Sequence, residues 1–245
     1  MNLEKARFNM IEQQIRPWDV LATDVLDLLM VVKREAFVPA AYRNMAFVDT
    51  EIPLPGGESM LQPKLEARIL QEVAVKKHEQ VLEIGAGSGY MAALLAYKAR
   101  HVTTVDILPE LAAIARANLA SYGVDNVDVQ QGDGARGWPA AGTGAGAGAA
   151  LEQVYDVIVV SGSMPVLPQE LMQQLKIGGR LFVVTGAAPA MSAMLVTRMS
   201  DMRVISMADI AGAAPVTTNM RPPSLSCCIS CCGSTGIEPE TTMTS

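Results

Sequence analysis

Three glycines that directly follow an apolar run are the residues of this sequence best placed to bind a ligand. Residues 81–90 read Val-Leu-Glu-Ile-Gly-Ala-Gly-Ser-Gly-Tyr, with Gly85, Gly87 and Gly89 at alternate positions, and an apolar helix-forming run follows at 91–99. This pattern predicts a strand, a tight turn and a helix, which brings backbone N–H groups close to a ligand at the helix N-terminus. A glycine turn by itself is weak evidence for a nucleotide site, so its neighbours decide the interpretation.

Two carboxylates stand where the next two predicted strands end. Asp106 closes a strand predicted at 101–107, 21 positions after Gly85, where a carboxylate can accept hydrogen bonds from ribose hydroxyls. Asp133 lies between two glycines after a strand predicted at 126–131, where it can reach an adenine amino group. Parallel strands end at one edge of a sheet, so we expect one site there. Capping of a helix or turn is the simpler alternative for both residues.

Glu83 and the glycine spacing indicate which nucleotide is bound. A dinucleotide site usually has the spacing G-x-G-x-x-G, with a pyrophosphate on the helix N-terminus. Here the spacing is G-x-G-x-G, and Glu83 precedes the first glycine by two positions. An acidic side chain beside the loop favours a cationic ligand on charge grounds, and S-adenosylmethionine carries an ammonium and a sulfonium. An NAD-dependent oxidoreductase is therefore the disfavoured alternative, and a solvated strand-end residue is the simpler interpretation of Glu83.

Strands and helices alternate from residue 79 onward. Strands are predicted at 80–84, 101–107, 126–131, 155–161 and 179–185, with helices at 90–99, 110–122 and 168–175. This order predicts an α/β fold, a doubly wound and mostly parallel sheet with right-handed crossovers and helices on both faces. Two further strands are predicted at 194–199 and 202–207, as a hairpin.

The N-terminal third has a different character. Residues 4–38 carry apolar side chains at helical spacing, with an interruption at Arg16-Pro17, which predicts two helices packed over the core. Residues 40–63 are rich in turn formers and predict an irregular lid or substrate loop, followed by an amphipathic helix at 64–75.

Composition limits the class of protein. With 245 residues, 50% of them hydrophobic and 18% charged, the chain can form one sizeable globular domain, and its net charge of −6 argues against a nucleic-acid partner. No run approaches the roughly 18 apolar residues of a membrane span, and the N-terminus lacks an apolar signal-peptide core, so a cytoplasmic protein is expected. All four Cys lie at 227–232 with no His nearby, so we expect no metal site. The sequence does not indicate which oligomeric state the protein has.

Glu83-Ile-Gly-Ala-Gly-Ser-Gly-Tyr90 resembles the first motif of class I S-adenosylmethionine-dependent methyltransferases. More narrowly, residues from about 7 to 186 resemble the protein-L-isoaspartate O-methyltransferase family. The most particular segment is Val31-Val-Lys-Arg-Glu-Ala-Phe-Val-Pro39. The other similar segments are Met10-Ile-Glu-Gln-Gln-Ile-Arg16, Ile52-Pro-Leu-Pro55, Gln62-Pro63, Gln131-Gly-Asp-Gly134 and Leu167-Pro-Gln-Glu-Leu-Met-Gln-Gln-Leu-Lys-Ile-Gly-Gly-Arg180.

The resemblance implies a Rossmann-like methyltransferase with a seven-stranded type of sheet, using S-adenosylmethionine to methylate a carboxylate of damaged protein. It divides the chain into a helical cap and lid at 1–63 and a core at 64–210. A flexible Gly/Ala insertion is predicted at 139–150 and a disordered tail at 211–245. The expected cofactor-binding residues are Glu83, Gly85, Gly87, Gly89, Asp106, Ile107, Asp133 and Gly134.

The sequence departs from the family at two places. The family pattern Gly-x-Thr-Ile-Ser-x-Pro, whose Ser is taken as the active-site residue, here reads Gly57-Glu-Ser-Met-Leu-Gln-Pro63. Leu61 replaces that Ser and can neither donate nor accept a hydrogen bond, which leaves Ser59, at the Thr position, as the candidate catalytic side chain. The family's C-terminal aromatic and valine-rich strand is also missing, and either divergence or a shifted reading frame explains the Cys-rich tail.

Three functional hypotheses remain. A carboxylate acceptor is already ionised at neutral pH, so methyl transfer needs positioning and exclusion of water rather than a strong base. The first hypothesis is isoaspartate methylation, which the N-terminal segments favour. The second is methylation of another protein or small molecule, and the third is a cofactor-binding module without catalysis; Leu61 favours these two. Ser161 and Ser163, after the fourth predicted strand, are candidates for the acceptor side, with turn formation as the alternative.

Overall fold

The computed structural model describes residues 2–139, 153–187 and 190–199. The chain begins with helices α1 (Leu3–Met10) and α2 (Thr23–Val31), separated by a π-helical turn at Ile11–Ile15 and a 3-10 turn at Arg16–Trp18. The predicted interruption at Arg16-Pro17 is confirmed, because Pro17 lies in the 3-10 turn and Asp19 after it has a φ of 57°. Two more 3-10 segments follow, at Arg34–Ala36 and Ala40–Met45.

The segment predicted to be an irregular lid forms a small hairpin. Strands β1 (Ile52–Pro53) and β2 (Ser59–Met60) pair antiparallel, and a 3-10 turn at Pro55–Gly57 joins them. The backbone N–H of Leu54 donates to the carbonyl of Glu58 at 2.8 Å and closes this turn. Helix α3 (Pro63–Val73) begins three residues after β2, with Pro at its first position, where a missing N–H costs nothing.

A central sheet of six strands organises the rest of the described chain. The strands are β3 (Gln80–Ile84), β4 (His101–Asp106), β5 (Val127–Gln131), β6 (Tyr155–Met164), β7 (Leu175–Ala187) and β8 (Ala190–Thr197), in the spatial order β5-β4-β3-β6-β7-β8. All neighbours are parallel except β7 and β8, which are antiparallel. After β3, the chain adds β4 and β5 on one side of this strand and then β6, β7 and β8 on its other side. The carboxyl end of β3 is therefore the topological switch point of the sheet.

Helices cover both faces of this sheet, which confirms the doubly wound α/β prediction. Helices α4 (Tyr90–Lys98) and α5 (Pro109–Tyr122) share one apolar cluster with α2 and α3, and α6 (Gln169–Gln174) contributes to a second cluster. Successive side chains of β3 lie on opposite faces of the sheet, since Val81 belongs to the first cluster and Leu82 to the second. Strands buried on both faces are apolar without alternation, as the sequence shows here.

Several predicted boundaries shift in the structure. The fifth predicted strand is longer than 179–185, because β7 begins to pair with β6 already at Leu175. The strand predicted at 194–199 begins at Ala190 and pairs with β7, so the hairpin forms one strand earlier than expected. The strand predicted at 202–207, the insertion beyond Pro139, the tail and its Cys cluster lie outside the described residues, as does any seventh strand there. Within residues 2–139, 153–187 and 190–199, no helix has the length and apolarity needed to cross a membrane.

Candidate functional site

The main cavity lies over the carboxyl ends of β3, β4, β5 and β6, at the topological switch point. Open α/β sheets bind ligands at this position. The loop after each of these strands contributes to the wall, and the β1–β2 hairpin covers one side. The residues that line the cavity include Leu54, Glu58, Ser59, Ile84, Gly85, Gly87, Asp106, Ile107, Asp133, Gly134, Ser161 and Ser163.

The glycine turn forms the floor of this cavity. Gly85 and Gly87 have φ values of 96° and 52°, in the left-handed region that favours glycine. A Cβ atom on Gly87 would lie 3.4 Å from Leu54 Cδ1 of the covering hairpin, so the missing side chain lets the two segments approach. The backbone of the turn therefore faces the cavity directly, as the sequence predicted.

Gly89 has different surroundings from the other two glycines. It is not part of the wall of the main cavity, and a Cβ on it would lie 3.2 Å from the Cα and carbonyl oxygen of Ala115 in α5. The absence of a side chain on this glycine allows α4 and α5 to pack closely, and its contact with the cofactor stays a prediction from the sequence. The spacing of glycines in a sequence does not reveal which of them faces a helix.

Asp106 connects the turn to the second strand. Its Oδ2 accepts a hydrogen bond from the Gly87 N–H at 3.0 Å, and its Oδ1 accepts one from the Leu108 N–H at 2.9 Å. Each carboxylate oxygen has a further lone pair, so both can also accept from a ligand hydroxyl. The capping alternative and the binding role are thus compatible. Ile107 follows as an apolar wall residue, 47% exposed.

Asp133 and Gly134 lie at the same edge, on the loop after β5. Asp133 is exposed, and its Oδ1 accepts from the Ala135 N–H at 2.9 Å, which shapes the loop as an Asx turn. Gly134 is buried, and a Cβ on it would lie 3.3 Å from the Ile84 side chain. The structure therefore brings Gly85, Asp106 and Asp133 to one cavity.

Glu83 is fully buried, which corrects the view of it as a solvated strand-end residue. Its Oε2 accepts from Thr104 Oγ1 at 2.6 Å and its Oε1 from Ser161 Oγ at 3.0 Å. Burial raises the pKa of Glu83 to about 8, although both hydroxyls favour the ionised form. The carboxyl is thus mostly protonated at neutral pH in the free protein. It can attract a cation, as predicted, only when it loses that proton.

A smaller cavity adjoins the first and contains the position where the family has its Ser. Leu54, Ser59, Gly85, Gly87 and Ser161 line both cavities, and the smaller one also has Met60, Leu61, Glu66, Glu83, Ala86, Ser88, Tyr90 and Met91 in its wall. Leu61 is only 6% exposed. The Tyr90 hydroxyl is buried and has no hydrogen-bond partner among the residues that the structure describes.

Ser59 is the hydroxyl that the hairpin offers to both cavities. Its Oγ donates to Glu51 Oε2 at 3.3 Å, and burial raises the pKa of Glu51. Burial also raises the pKa of Glu58, and the negative charge of Asp106 across the cavity adds to this effect. The covering hairpin thus brings the Glu58 carboxyl toward the side of the main cavity that carries Asp106.

Ser161 and Ser163, the two candidates for the acceptor side, both line the main cavity. The Ser161 hydroxyl already donates to Glu83.

Sequence reasoning missed Arg34. This side chain is 1% exposed and donates three hydrogen bonds. Its Nε donates to the Ala46 carbonyl at 3.0 Å, its Nη2 to the Leu61 carbonyl at 2.8 Å, and its Nη1 to the Glu66 carboxylate. Burial raises the pKa of Glu66 to about 7, against the opposing effect of the Arg34 charge. The signal was available, because Arg34 lies in the segment 31–39 that carried the resemblance, but its partners are distant in sequence.

The residues of the main cavity fit an adenosyl cofactor. Asp106 and Asp133 offer acceptors for hydroxyl and amino groups, Ile84, Ile107 and other apolar side chains can flank a flat ring, and the glycine turn exposes its backbone. The described side chains that line the main cavity include Glu58, Asp106 and Asp133 and no Lys or Arg, which disfavours a pyrophosphate on charge grounds.

Comparison with known proteins agrees with this geometry. Residues 5–218 match the family model described as Protein-L-isoaspartate(D-aspartate) O-methyltransferase (PCMT). Protein-L-isoaspartate O-methyltransferase 1 of Rhodopseudomonas palustris (strain HaA2) is 41% identical over 207 residues, which cover 83% of this chain and 80% of that protein. Protein-L-isoaspartate O-methyltransferase of Brucella anthropi is 32% identical, over 91% of this chain and 99% of that protein.

The fold has a counterpart among solved structures. A Plasmodium falciparum protein assigned as a protein-L-isoaspartate O-methyltransferase, crystallised with S-adenosyl-L-homocysteine, superposes with a TM-score of 0.67. The superposition covers 83% of this chain and 93% of that chain at 17% identity, so it establishes the shared fold.

Proposed function

The chain belongs to the protein-L-isoaspartate O-methyltransferase family, and from this membership we infer that it is an S-adenosylmethionine-dependent methyltransferase acting on an isoaspartyl carboxylate of proteins. The observation that carries this conclusion is the extent of the match. Residues 5–218 include the cap, the covering hairpin and every strand end that lines the main cavity. This extent supports the proposed reaction, and the hydroxyl at position 61 is the feature of the family pattern that the chain lacks.

The cofactor-binding residues are proposed from the cavity. Asp106 would accept hydrogen bonds from the ribose hydroxyls through the lone pairs that Gly87 and Leu108 leave free. Asp133 and Gly134 would flank the adenine, with Ile107 as an apolar wall. When bound, S-adenosylmethionine supplies a methyl group activated by the positive charge on its sulfur.

The protein's own contribution is positioning and exclusion of water. A carboxylate acceptor is ionised at neutral pH and needs no base to become a nucleophile. The hairpin β1–β2 covers the cavity with Leu54 and Ser59, which shields the reacting groups from solvent. Ser59 Oγ is the hydroxyl available to orient the acceptor, in place of the missing Ser at position 61. Alignment of the two reacting atoms then accounts for the acceleration.

A second candidate function rests on Leu61. Its buried side chain makes this part of the smaller cavity apolar, where the family pattern has a hydroxyl. An acceptor with an apolar group beside its carboxylate would suit such a wall better than an isoaspartyl residue does. The second candidate is therefore a methyltransferase of the same cofactor with a different acceptor.

One set of measurements separates the two candidates. Cofactor affinity is measured by calorimetry, and methyl transfer is measured with an isoaspartyl peptide and with its aspartyl counterpart as the control. The proteins are wild type, Leu61→Ser and Leu61→Ala, of which the last enlarges the cavity without adding a hydroxyl. Transfer by wild type supports isoaspartate methylation, whereas transfer by Leu61→Ser alone supports the second candidate. Absence of cofactor binding would overturn both.

The acceptor protein, the division into cap, core and tail, and a cytoplasmic location stay predictions from the sequence. The proposed partner is a damaged protein or peptide, which has to present its carboxylate at the hairpin side of the cavity.

A further inference from the structure

The buried side chain of Arg34 binds the segment that carries Ser59 and Leu61. Its Nη2 donates to the carbonyl of Leu61 at 2.8 Å, between the end of β2 and the start of α3. Its Nη1 is paired with Glu66 in the first turn of α3, and its Nε donates to Ala46 at 3.0 Å. One guanidinium therefore connects two segments of the cap, at Ala46 and Leu61, to the first turn of α3 beside the smaller cavity.

Two of the residues that Arg34 binds are part of the wall of the smaller cavity. Leu61 and Glu66 both line the smaller cavity, and so does Tyr90, whose ring centroid lies 5.3 Å from Arg34 Cζ. Arg34 itself does not line either cavity. It therefore acts on the site through the groups that it binds and through its charge, which lowers the pKa of Glu66 against the effect of burial.

Arginine is the side chain that this task requires. Its planar guanidinium presents donors in fixed directions, so one residue can bind two carbonyls and a carboxylate at once. Lysine keeps the positive charge near Glu66 but has a single ammonium, which cannot reach all three acceptors in the same geometry. The proposal can thus be tested with the charge retained.

We propose that Arg34 is a positioning residue for methyl transfer: by holding the Leu61 carbonyl and the Glu66 carboxylate, it sets the position of residues 59–61 against the cofactor and acceptor. This proposal rests on the proposed function for its catalytic consequence, but the ordering of residues 59–61 does not depend on any acceptor.

The chain offers a matched control for loss of a buried ion pair. Arg7 is 3% exposed, pairs with Glu35 and lies 5.8 Å from the ring of Phe47, much as Arg34 pairs with Glu66 beside Tyr90. Arg7 and Glu35 line neither cavity and make no hydrogen bond to residues 59–61 in the described parts of the chain. Loss of a buried partner is destabilising in both cases, so only a positional effect distinguishes the two arginines.

The experiment compares Arg34→Lys with Arg7→Lys in the full chain. Hydrogen exchange of the amides at 52–62 reports on ordering of the hairpin without any acceptor. Thermal unfolding reports on stability, and the kinetics of methyl transfer to an isoaspartyl peptide are measured in the wild-type and Leu61→Ser backgrounds. Glu66→Gln serves as a second variant, which retains the size of the side chain but weakens its bond to Arg34.

Arg34→Lys and Glu66→Gln are expected to accelerate exchange at 52–62 and to lower kcat by about 10- to 100-fold with a small change in KM, the cost of a misplaced active-site segment. Arg7→Lys is expected to lower the unfolding temperature similarly but to leave exchange at 52–62 and kcat near wild type. Equal effects of Arg34→Lys and Arg7→Lys on kcat and exchange would overturn the proposal. If neither wild type nor Leu61→Ser methylates the peptide, the proposal of isoaspartate methylation fails. Faster exchange at 52–62 in Arg34→Lys would in that case still support the positioning of residues 59–61 by Arg34.

Discussion

The backbone N–H of Gly87 donates a hydrogen bond to the Oδ2 atom of Asp106 at 3.0 Å. This bond joins the glycine turn after β3 to the carboxylate at the end of β4, so the floor and one wall of the main cavity form a single unit. The carboxylate is held in place before any ligand arrives, and it retains lone pairs directed at the cavity. Preorganisation of this kind reduces the cost of binding.

Replacement of Asp106 tests that role. Asp106→Asn is expected to weaken S-adenosylmethionine binding by about 1–3 kcal/mol, because a charged acceptor for the ribose hydroxyls is lost. Calorimetric titration measures the change. Asp128→Asn is a suitable control, since Asp128 lies on β5 near His101 and away from the cavity. An affinity of Asp106→Asn equal to that of wild type would exclude the ribose role.

The glycine turn makes a second prediction. Gly87→Ala and Gly123→Ala both place a side chain at a positive φ, of 52° and 77°, and each should cost about 1–2 kcal/mol of stability. Only Gly87 lies in the cavity floor, where a new Cβ would also contact Leu54. Cofactor affinity should therefore fall in Gly87→Ala and stay near wild type in Gly123→Ala, which has nothing within 4 Å of its Cβ. A similar loss of affinity in both variants would contradict this prediction.

Glu83 makes the stability of the free protein depend on pH. Burial raises its pKa from 4.5 to about 8, so the folded state binds more protons than the unfolded state between these values. Stability is therefore greatest below pH 4.5 as far as this group is concerned, and it falls as the pH rises toward 8. For one proton the slope is at most about 1.4 kcal/mol per pH unit.

Urea denaturation of wild type and Glu83→Gln from pH 5 to 9 checks this prediction. Glu66 contributes a similar trend to both proteins, and because its charge also raises the pKa of Glu83, the difference between the two curves reports Glu83 together with its coupling to Glu66. The variant should lose part of the pH dependence and gain stability relative to wild type at high pH. Parallel stability curves for the two proteins would show that Glu83 does not titrate in this range.

Cofactor binding should remove the proton from the Glu83 carboxyl. A cationic ligand beside Glu83 favours its ionised form, so binding of S-adenosylmethionine should release a proton at pH 7 and become tighter as the pH rises toward 8. Calorimetry in two buffers of different ionisation enthalpy measures the proton released. Glu83→Gln should bind with no such release, and an equal release from both proteins would assign the proton to another group.

Leu61→Ser is expected to destabilise the protein by about 2 kcal/mol, the lower end of the range for truncation of a buried Leu, because this side chain already borders a cavity. Leu61→Ala should cost a similar amount, which makes the two variants comparable in the methyl-transfer assay. Denaturation midpoints of the two variants provide the measurement. A loss of more than about 5 kcal/mol in Leu61→Ser alone would mean that the new hydroxyl has no partner.

Much of the fold and part of the site could be predicted from local patterns. The alternation of apolar strands and helices predicted the parallel sheet, because each element's periodicity is set by its own residues. The positions of Asp106 and Asp133 at one edge followed from parallel topology alone. The length of β7 and the start of β8 were not predicted, since their pairing depends on partners across the sheet.

The sequence by itself determined the type of the site: a glycine turn, two strand-end carboxylates and a missing hydroxyl at position 61. Only the tertiary structure decided what several of these residues do. Glu83 is buried and accepts hydrogen bonds from Thr104 and Ser161, 21 and 78 positions away, and Gly89 packs against α5. Arg34 holds Leu61 from 27 positions away. Burial, pKa and attachment depend on neighbours brought together by packing, which no local pattern contains.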